Sequence, residues 1–173
     1  MPVKVSLSVP YAVSRAFDVP YDKEARRIDV SGLSAFWQEN EFHNWLGCYI
    51  FGARWGGRVT PWYVGRTGRT FEEEAFERHK LKHYNTVLEE RPKCRPVMMF
   101  VYRESFKGRV EAIPYDYLET ELIRMCAQVN QGLKNDKKMR QKVLLIRGVT
   151  DKTRGRKSSE TLDFRNMLSL ESN

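Results

Sequence analysis

Cysteine is scarce: Cys48, Cys94 and Cys126 are the only three in 173 residues. They are odd in number, widely spaced and include no CxxC pair. Neither a disulfide framework nor a metal knuckle can be built from them, and a reducing, cytoplasmic interior is the expectation. Long apolar runs are missing too. None approaches the ~20 residues that span a bilayer, and the opening stretch MPVKVSLSVPYAVSRAFD lacks the apolar segment and small-residue cleavage site of a secretory signal. A membrane partner is therefore not expected. The glycine patterns GxGxxG and GxxxxGK[ST] are absent, as are internal repeats and low-complexity tracts.

What is present is globular in character, with 41% apolar, 12% aromatic and 30% charged residues. The length suits one domain with one modest core. Net charge is +8, and the excess is local: between positions 134 and 157 ten basic residues face only Asp136 and Asp151. Such a patch is an electrostatic footprint for a polyanion, with Lys137, Lys138, Arg140, Arg154, Arg156 and Lys157 as candidate phosphate contacts. The blander alternative is a solvated surface.

Three segments are expected: an N-terminal arm and helix over 1–46, a core over 47–135, and a basic extension over 136–173. In the arm, Val3, Val5, Leu7 and Val9 alternate as a short edge strand that stops at Pro10. A helix is expected over 39–46, with Trp37, Phe42 and Trp45 in the core. Strands follow at 48–51 and 59–64, joined by a glycine-containing connector at 53–57. So short a link makes the pair antiparallel, and Pro61 marks an edge or a bulge. A helix after Gly68 carries a capping box, Thr70 with Glu73, and its apolar residues Phe71, Phe76, Leu81, Tyr84 and Leu88 extend it towards Pro92. A strand at 96–103 precedes a helix beginning near Asp116, where Asp116 and Glu119 are spaced as a capping pair and Leu118, Leu122, Cys126 and Val129 form the apolar face. The order strand, strand, helix, strand, helix gives an α/β (α+β) class and excludes a doubly wound sheet.

Several residues could carry chemistry. Tyr49 and Tyr63 stand on neighbouring strands, where core packing with a tethered hydroxyl is the simpler role. Gly65 admits the close approach of another group. Arg66 and Arg69 lead into a helix N-terminus and could meet phosphate, or could be solvated turn residues. His79 and His83 are one turn apart, as in an ordinary surface pair. Glu119 could hold one hard divalent ion, or cap its helix. Asn130 and Asn135 could contact phosphate or stop the helix.

Taken in order, these elements resemble the GIY-YIG nuclease family. Gly47-Cys48-Tyr49 stands as the first motif, Tyr63-Val64-Gly65 as the second, followed by YVGRTGRTF, the helix EAFERHK and the Glu119-Thr-Glu-Leu-Ile segment. The resemblance covers about residues 46–135. It implies a small three-stranded antiparallel sheet flanked by helices, and hydrolysis of a phosphodiester in DNA with one Mg²⁺ or Mn²⁺. It implies that Tyr49 activates the attacking water, Tyr63 orients it, Glu119 holds the metal, His79 is the helix histidine and Asn130 the late asparagine. The family's helix arginine falls at Ala75, beside Glu74. Arg69, Arg66 or Arg78 would then have to supply its charge, or a turned helix would put His79 and His83 in the two places. The alternatives are a nucleic-acid-binding module without cleavage and an unrelated interaction domain. A homodimer would let two sites cut two strands.

Overall fold

The structure, a computed structural model, describes residues 11–103 and 115–135. The alternating strand Val3 to Val9, the turn at Lys107 and Gly108, and everything beyond position 135 lie outside the described residues. The chain runs through strands β1 (Ala12–Val13), β2 (Phe17–Asp18), β3 (Tyr21–Asp22) and β4 (Arg27–Ile28), a 3₁₀ turn at Val30–Gly32, and helix α1 (Leu33–Glu39). Strands β5 (Gly47–Trp55) and β6 (Arg58–Arg66), helices α2 (Phe71–Glu74) and α3 (Arg78–Glu90), strand β7 (Arg95–Tyr102) and helix α4 (Tyr115–Val129) complete it.

The core of the sheet is the antiparallel set β7-β5-β6, with β5 in the middle. The β5–β6 hairpin is the one expected, longer at both ends, and turns at Gly56 and Gly57. Its register shifts where Phe51 faces Tyr63 but Gly52 faces Pro61, so Trp62 is the extra residue of a bulge beside the proline.

The sheet has five strands, however, and not three. Both β1 and β2 pair with the outer edge of β7, at Tyr102 and Val101 and then at Met98 and Val97. Between them Ser14 stands in for a strand: its N–H donates to Phe100 O at 2.9 Å and its Oγ accepts the Phe100 N–H at 2.8 Å. Two-residue strands leave almost no alternation to read, so this edge was invisible in the sequence. A separate two-stranded hairpin, β3–β4, packs against α3.

Period-2 alternation sends the strand residues to two cores. Tyr49, Phe51, Met98 and Phe100 meet Trp37, Phe42, Phe71, Tyr84 and Val87 on one face. Cys48, Ile50, Val64 and Val101 meet Tyr115, Leu122, Ile123 and Cys126 of α4 on the other. Fully burying one such aromatic or aliphatic side chain stabilises by about 1.5–3 kcal/mol. Val129, expected on the buried face of α4, is exposed.

Two helices depart from expectation through side-chain chemistry. The first lies at Leu33–Glu39, not 39–46, because Asn40 ends it: its Nδ2 donates to Phe36 O at 2.6 Å and its Oδ1 accepts the Phe42 N–H at 3.1 Å. The helix after Gly68 opens on the expected capping box but is broken into α2 and α3. At the break, Lys80 Nζ donates to Glu74 O at 2.6 Å and Tyr84 Oη donates to Ala75 O at 2.8 Å, satisfying carbonyls that a continuous helix would use itself.

Candidate functional site

Strand β6 is the outer strand of the sheet, with α3 packed on one face and α4 on the other. The two motif tyrosines sit on the α3 face. Tyr49 is the cross-strand partner of Gly65. A Cβ at Gly65 would fall inside the Tyr49 phenol, so the glycine is what lets that ring lie across β6. The group that Gly65 admits is therefore a side chain of the same protein. Gly47 has a comparable constraint, since a Cβ there would meet Val101 O.

Tyr49 is 0% exposed. Its hydroxyl makes no well-formed hydrogen bond; the nearest polar group is the Tyr84 hydroxyl, which donates its own proton to Ala75 O and leaves its oxygen facing Tyr49. Burial first, then the neighbouring Tyr84 and Tyr63 phenols and the Glu74 carboxylate, push the Tyr49 phenol well above its ordinary value. A buried phenol held protonated is badly suited to taking a proton from a solvent-borne water, which is the part the resemblance assigns to Tyr49. Tyr63 is half-buried. It stacks on His83 with ring centroids 5.4 Å apart and meets Tyr84 edge-on at 5.7 Å. Burial first, then the Glu119 and Glu77 carboxylates, raise its pKa. Tyr63 thus feels two carboxylates, Glu119 of α4 and Glu77 at the N-cap of α3.

Glu119 projects from the first turns of α4, its side chain 14% exposed, and Arg66 at the end of β6 reaches it: Nε lies 3.3 Å from Glu119 Oε2 and 3.5 Å from Asp116 Oδ1. Asp116 lies within the first turn of α4, which begins at Tyr115. On the other side, Lys80 is buried with its Nζ 3.0 Å from Glu77 Oε2 and 5.5 Å from the centre of the Tyr49 ring. The hydrogen bond from Lys80 holds the Glu77 carboxyl below its usual value. Lys80, Glu77 and Tyr84 belong to neither short motif. One signal was available: Lys80, Tyr84 and Val87 recur at helical spacing, so the lysine lies on the apolar stripe of α3.

The remaining candidates are elsewhere. Arg69 belongs to the 67–70 loop, where its guanidinium meets Glu73, Glu74 and Glu77 at 3.8, 3.6 and 3.4 Å. Glu74 staples that loop by accepting the N–H groups of Gly68 and Arg69. Ala75, in the place of the family's arginine, is wholly buried in the core. His79 is exposed, with Nδ1 3.8 Å from Glu77 Oε2, and it is His83 that adjoins Tyr63. Asn130 donates to Pro61 O at 2.7 Å and accepts the Gly132 N–H at 3.0 Å, about 17 Å along β6 from Arg66 at 3.3 Å per residue. Asn135 clasps the strand edge, accepting the Val64 N–H at 2.8 Å and donating to Val64 O at 2.7 Å. Lys137, Lys138, Arg140, Arg154, Arg156 and Lys157 lie outside the described residues.

Among the described residues no three His, Cys, Asp or Glu side chains gather as a metal cluster. The donor set suits a hard divalent ion that keeps most of its water, since Asp116 and Glu119 are two carboxylates one helical turn apart that already hold a cation, the Arg66 guanidinium, between them. No family model, curated protein or solved structure matches the chain.

Proposed function

We propose that the chain is a divalent-metal-dependent endonuclease of the GIY-YIG kind that hydrolyses phosphodiester bonds in DNA. The observation that carries this reading is at the β6 edge: Tyr49 lies across Gly65 beside Tyr63 on the α3 face, while Arg66 at the strand end meets Glu119 on the α4 face, whose carboxylate helps raise the Tyr63 pKa. These residues come from both short motifs and from a helix more than fifty positions away in sequence. Tyr63, protonated at neutral pH, hydrogen-bonds the attacking water or a phosphate oxygen. Tyr49 supports it from within the core and does not itself meet water. Arg66 offers charge to the phosphate, and Lys80 keeps Glu77 ionised beside Tyr63. Glu119, with Asp116, would hold Mg²⁺ or Mn²⁺, which when bound would help neutralise charge on the phosphate. A homodimer would let two such sites address the two strands of a duplex.

Supercoiled DNA incubated with Mg²⁺ or Mn²⁺ tests the reading. Glu119→Gln and Tyr63→Phe are expected to cut at least about 100-fold more slowly than the unaltered chain. Equal cutting by all three would sink the assignment. The burial of Ala75 favours a second reading, a nucleic-acid-binding module without cleavage. It requires salt-sensitive DNA binding and no cutting by the unaltered chain in either metal.

A further inference from the structure

An open groove of 860 Å³ runs between the outer face of α3 and the β3–β4 hairpin, on residues that the candidate catalytic site does not use. Its charged lining is Arg27 from the hairpin and Arg78, His79, Lys82 and Glu89 from α3. Six other cations, Arg54, Arg66, Arg69, Lys80, Arg124 and Lys134, each have a carboxylate within salt-bridge distance. Arg27, Arg78 and Lys82 have none among the described residues, as is also true of scattered surface cations such as Arg58, Lys93 and Arg95; what sets the three apart is that they line one groove together. Asp22 stands opposite Arg27 in the hairpin register, but its Oδ1 is engaged by the N–H groups of Glu24 and Ala25, both at 2.9 Å. Glu89 lies eleven residues after Arg78, about 16 Å along the helix at 1.5 Å per residue.

This concentration of positive charge works against the helix that bears it. Arg78 opens α3 at the positive end of the helix dipole, where the carboxylate beside it, Glu77 at the N-cap, is already engaged by Lys80 and Arg69. Lys82 is four residues on, a like-charge spacing that costs a few tenths of a kcal/mol. The hydrogen-bonding lining is also donor-rich. Asn85 fixes the groove's width by accepting the Ile28 N–H at 2.9 Å, which leaves its amide nitrogen as a donor, and Thr86 spends its proton on Lys82 O at 2.9 Å. Unpaired cations on two opposing elements, at a cost to the fold, fit an extended anion laid between them.

We infer that the groove between α3 and the β3–β4 hairpin seats the phosphate backbone of a DNA duplex, with Arg27, Arg78 and Lys82 as its contacts. The inference rests on the DNA reading above and adds a second contact surface to it. Each cation releases counterions when it meets a phosphate, so the three together account for about 2 to 3 units of the log–log salt slope.

The test measures binding of a short DNA duplex in EDTA, where no cutting occurs, against salt concentration. The Arg27→Gln/Arg78→Gln/Lys82→Gln variant is compared with Arg58→Gln/Lys93→Gln/Arg95→Gln, which removes the same charge from exposed residues outside the groove. The groove variant is expected to lose about 2 to 3 units of slope and at least tenfold in affinity at moderate salt, and the control variant much less. Equal losses in both variants, or unaltered binding by the groove variant, would overturn the inference. So would an RNA duplex of the same sequence that binds more tightly and alone depends on the groove. If the groove variant fails to fold, Lys82→Gln by itself is read for a loss of about one unit. Cutting in Mg²⁺ is scored separately: a chain that binds through the groove but cuts nothing overturns the nuclease reading alone. A chain that cuts, and whose groove variant binds unchanged, overturns the groove alone.

Discussion

Gly65 decides how one phenol is housed. The Tyr49 ring occupies the volume that any side chain at position 65 would need, and it is packed in turn by Phe71 at a centroid distance of 6.3 Å. With no room to yield, the Gly65→Val chain is expected to lose about 3 kcal/mol or more, the upper end of overpacking costs. Tyr49→Ala alone also destabilises, by emptying the same space. Combining the two should cost clearly less than the sum of the single changes. A urea double-mutant cycle measures this, and strict additivity would show that the two residues do not share that volume. The motif glycine and the motif tyrosine thus form one packing unit, although sixteen positions separate them in sequence.

At the scale of elements, what could be read ahead was what neighbours in sequence decide. The β5–β6 hairpin announces itself through alternation and paired glycines, and Pro61 correctly marks a bulge on an edge strand. The Thr70–Glu73 capping box is local chemistry and is present in full. The break after Glu74 could not be read so easily, because Lys80 and Tyr84 reach back to make it, in a segment whose apolar spacing suits an unbroken helix. Likewise, the meeting of Arg66 with Glu119 depends on α4 folding over an edge strand some fifty residues earlier. That edge is finished by Asn135 instead of by another strand. Asn135→Ala is expected to destabilise by about 1–3 kcal/mol, since it leaves the buried N–H and C=O of Val64 without partners. Asn135→Asp should be no better than alanine, because a carboxylate accepts from the N–H but faces the Val64 carbonyl without a proton. Chemical denaturation of both variants checks this, and a near-native Asn135→Asp would contradict the two-sided clasp.

At the scale of the whole molecule, several weak acids among the described residues are buried or partly buried. Tyr49, Tyr63, Tyr84 and Tyr115 all have raised pKa values, with burial the largest cause in each. Burial also pushes the Cys126 thiol from 9.0 up to about 11. Each group keeps its proton in the folded state after the unfolded chain has lost it. Folded molecules then bind more protons than unfolded ones, and stability must fall as pH rises, by up to about 1.4 kcal/mol per group per pH unit between the two pKa values. The decline is expected to begin near pH 9 with Cys126 and to steepen above pH 10 as the tyrosines join it. Urea titrations at increasing pH should show Cys126→Ala lacking the first part of the decline; a flat profile through pH 11 would contradict the burial of these groups. The clasp on Val64 has a temporal consequence as well. It joins positions 71 residues apart, whereas the β5–β6 hairpin closes between near neighbours, so the hairpin can form long before residues 130–135 arrive. The Val64 amide proton is therefore a clock for the docking of that segment. Its exchange with solvent follows the lifting of Asn135, while the inward-facing amides of the same strand wait for the sheet itself to open.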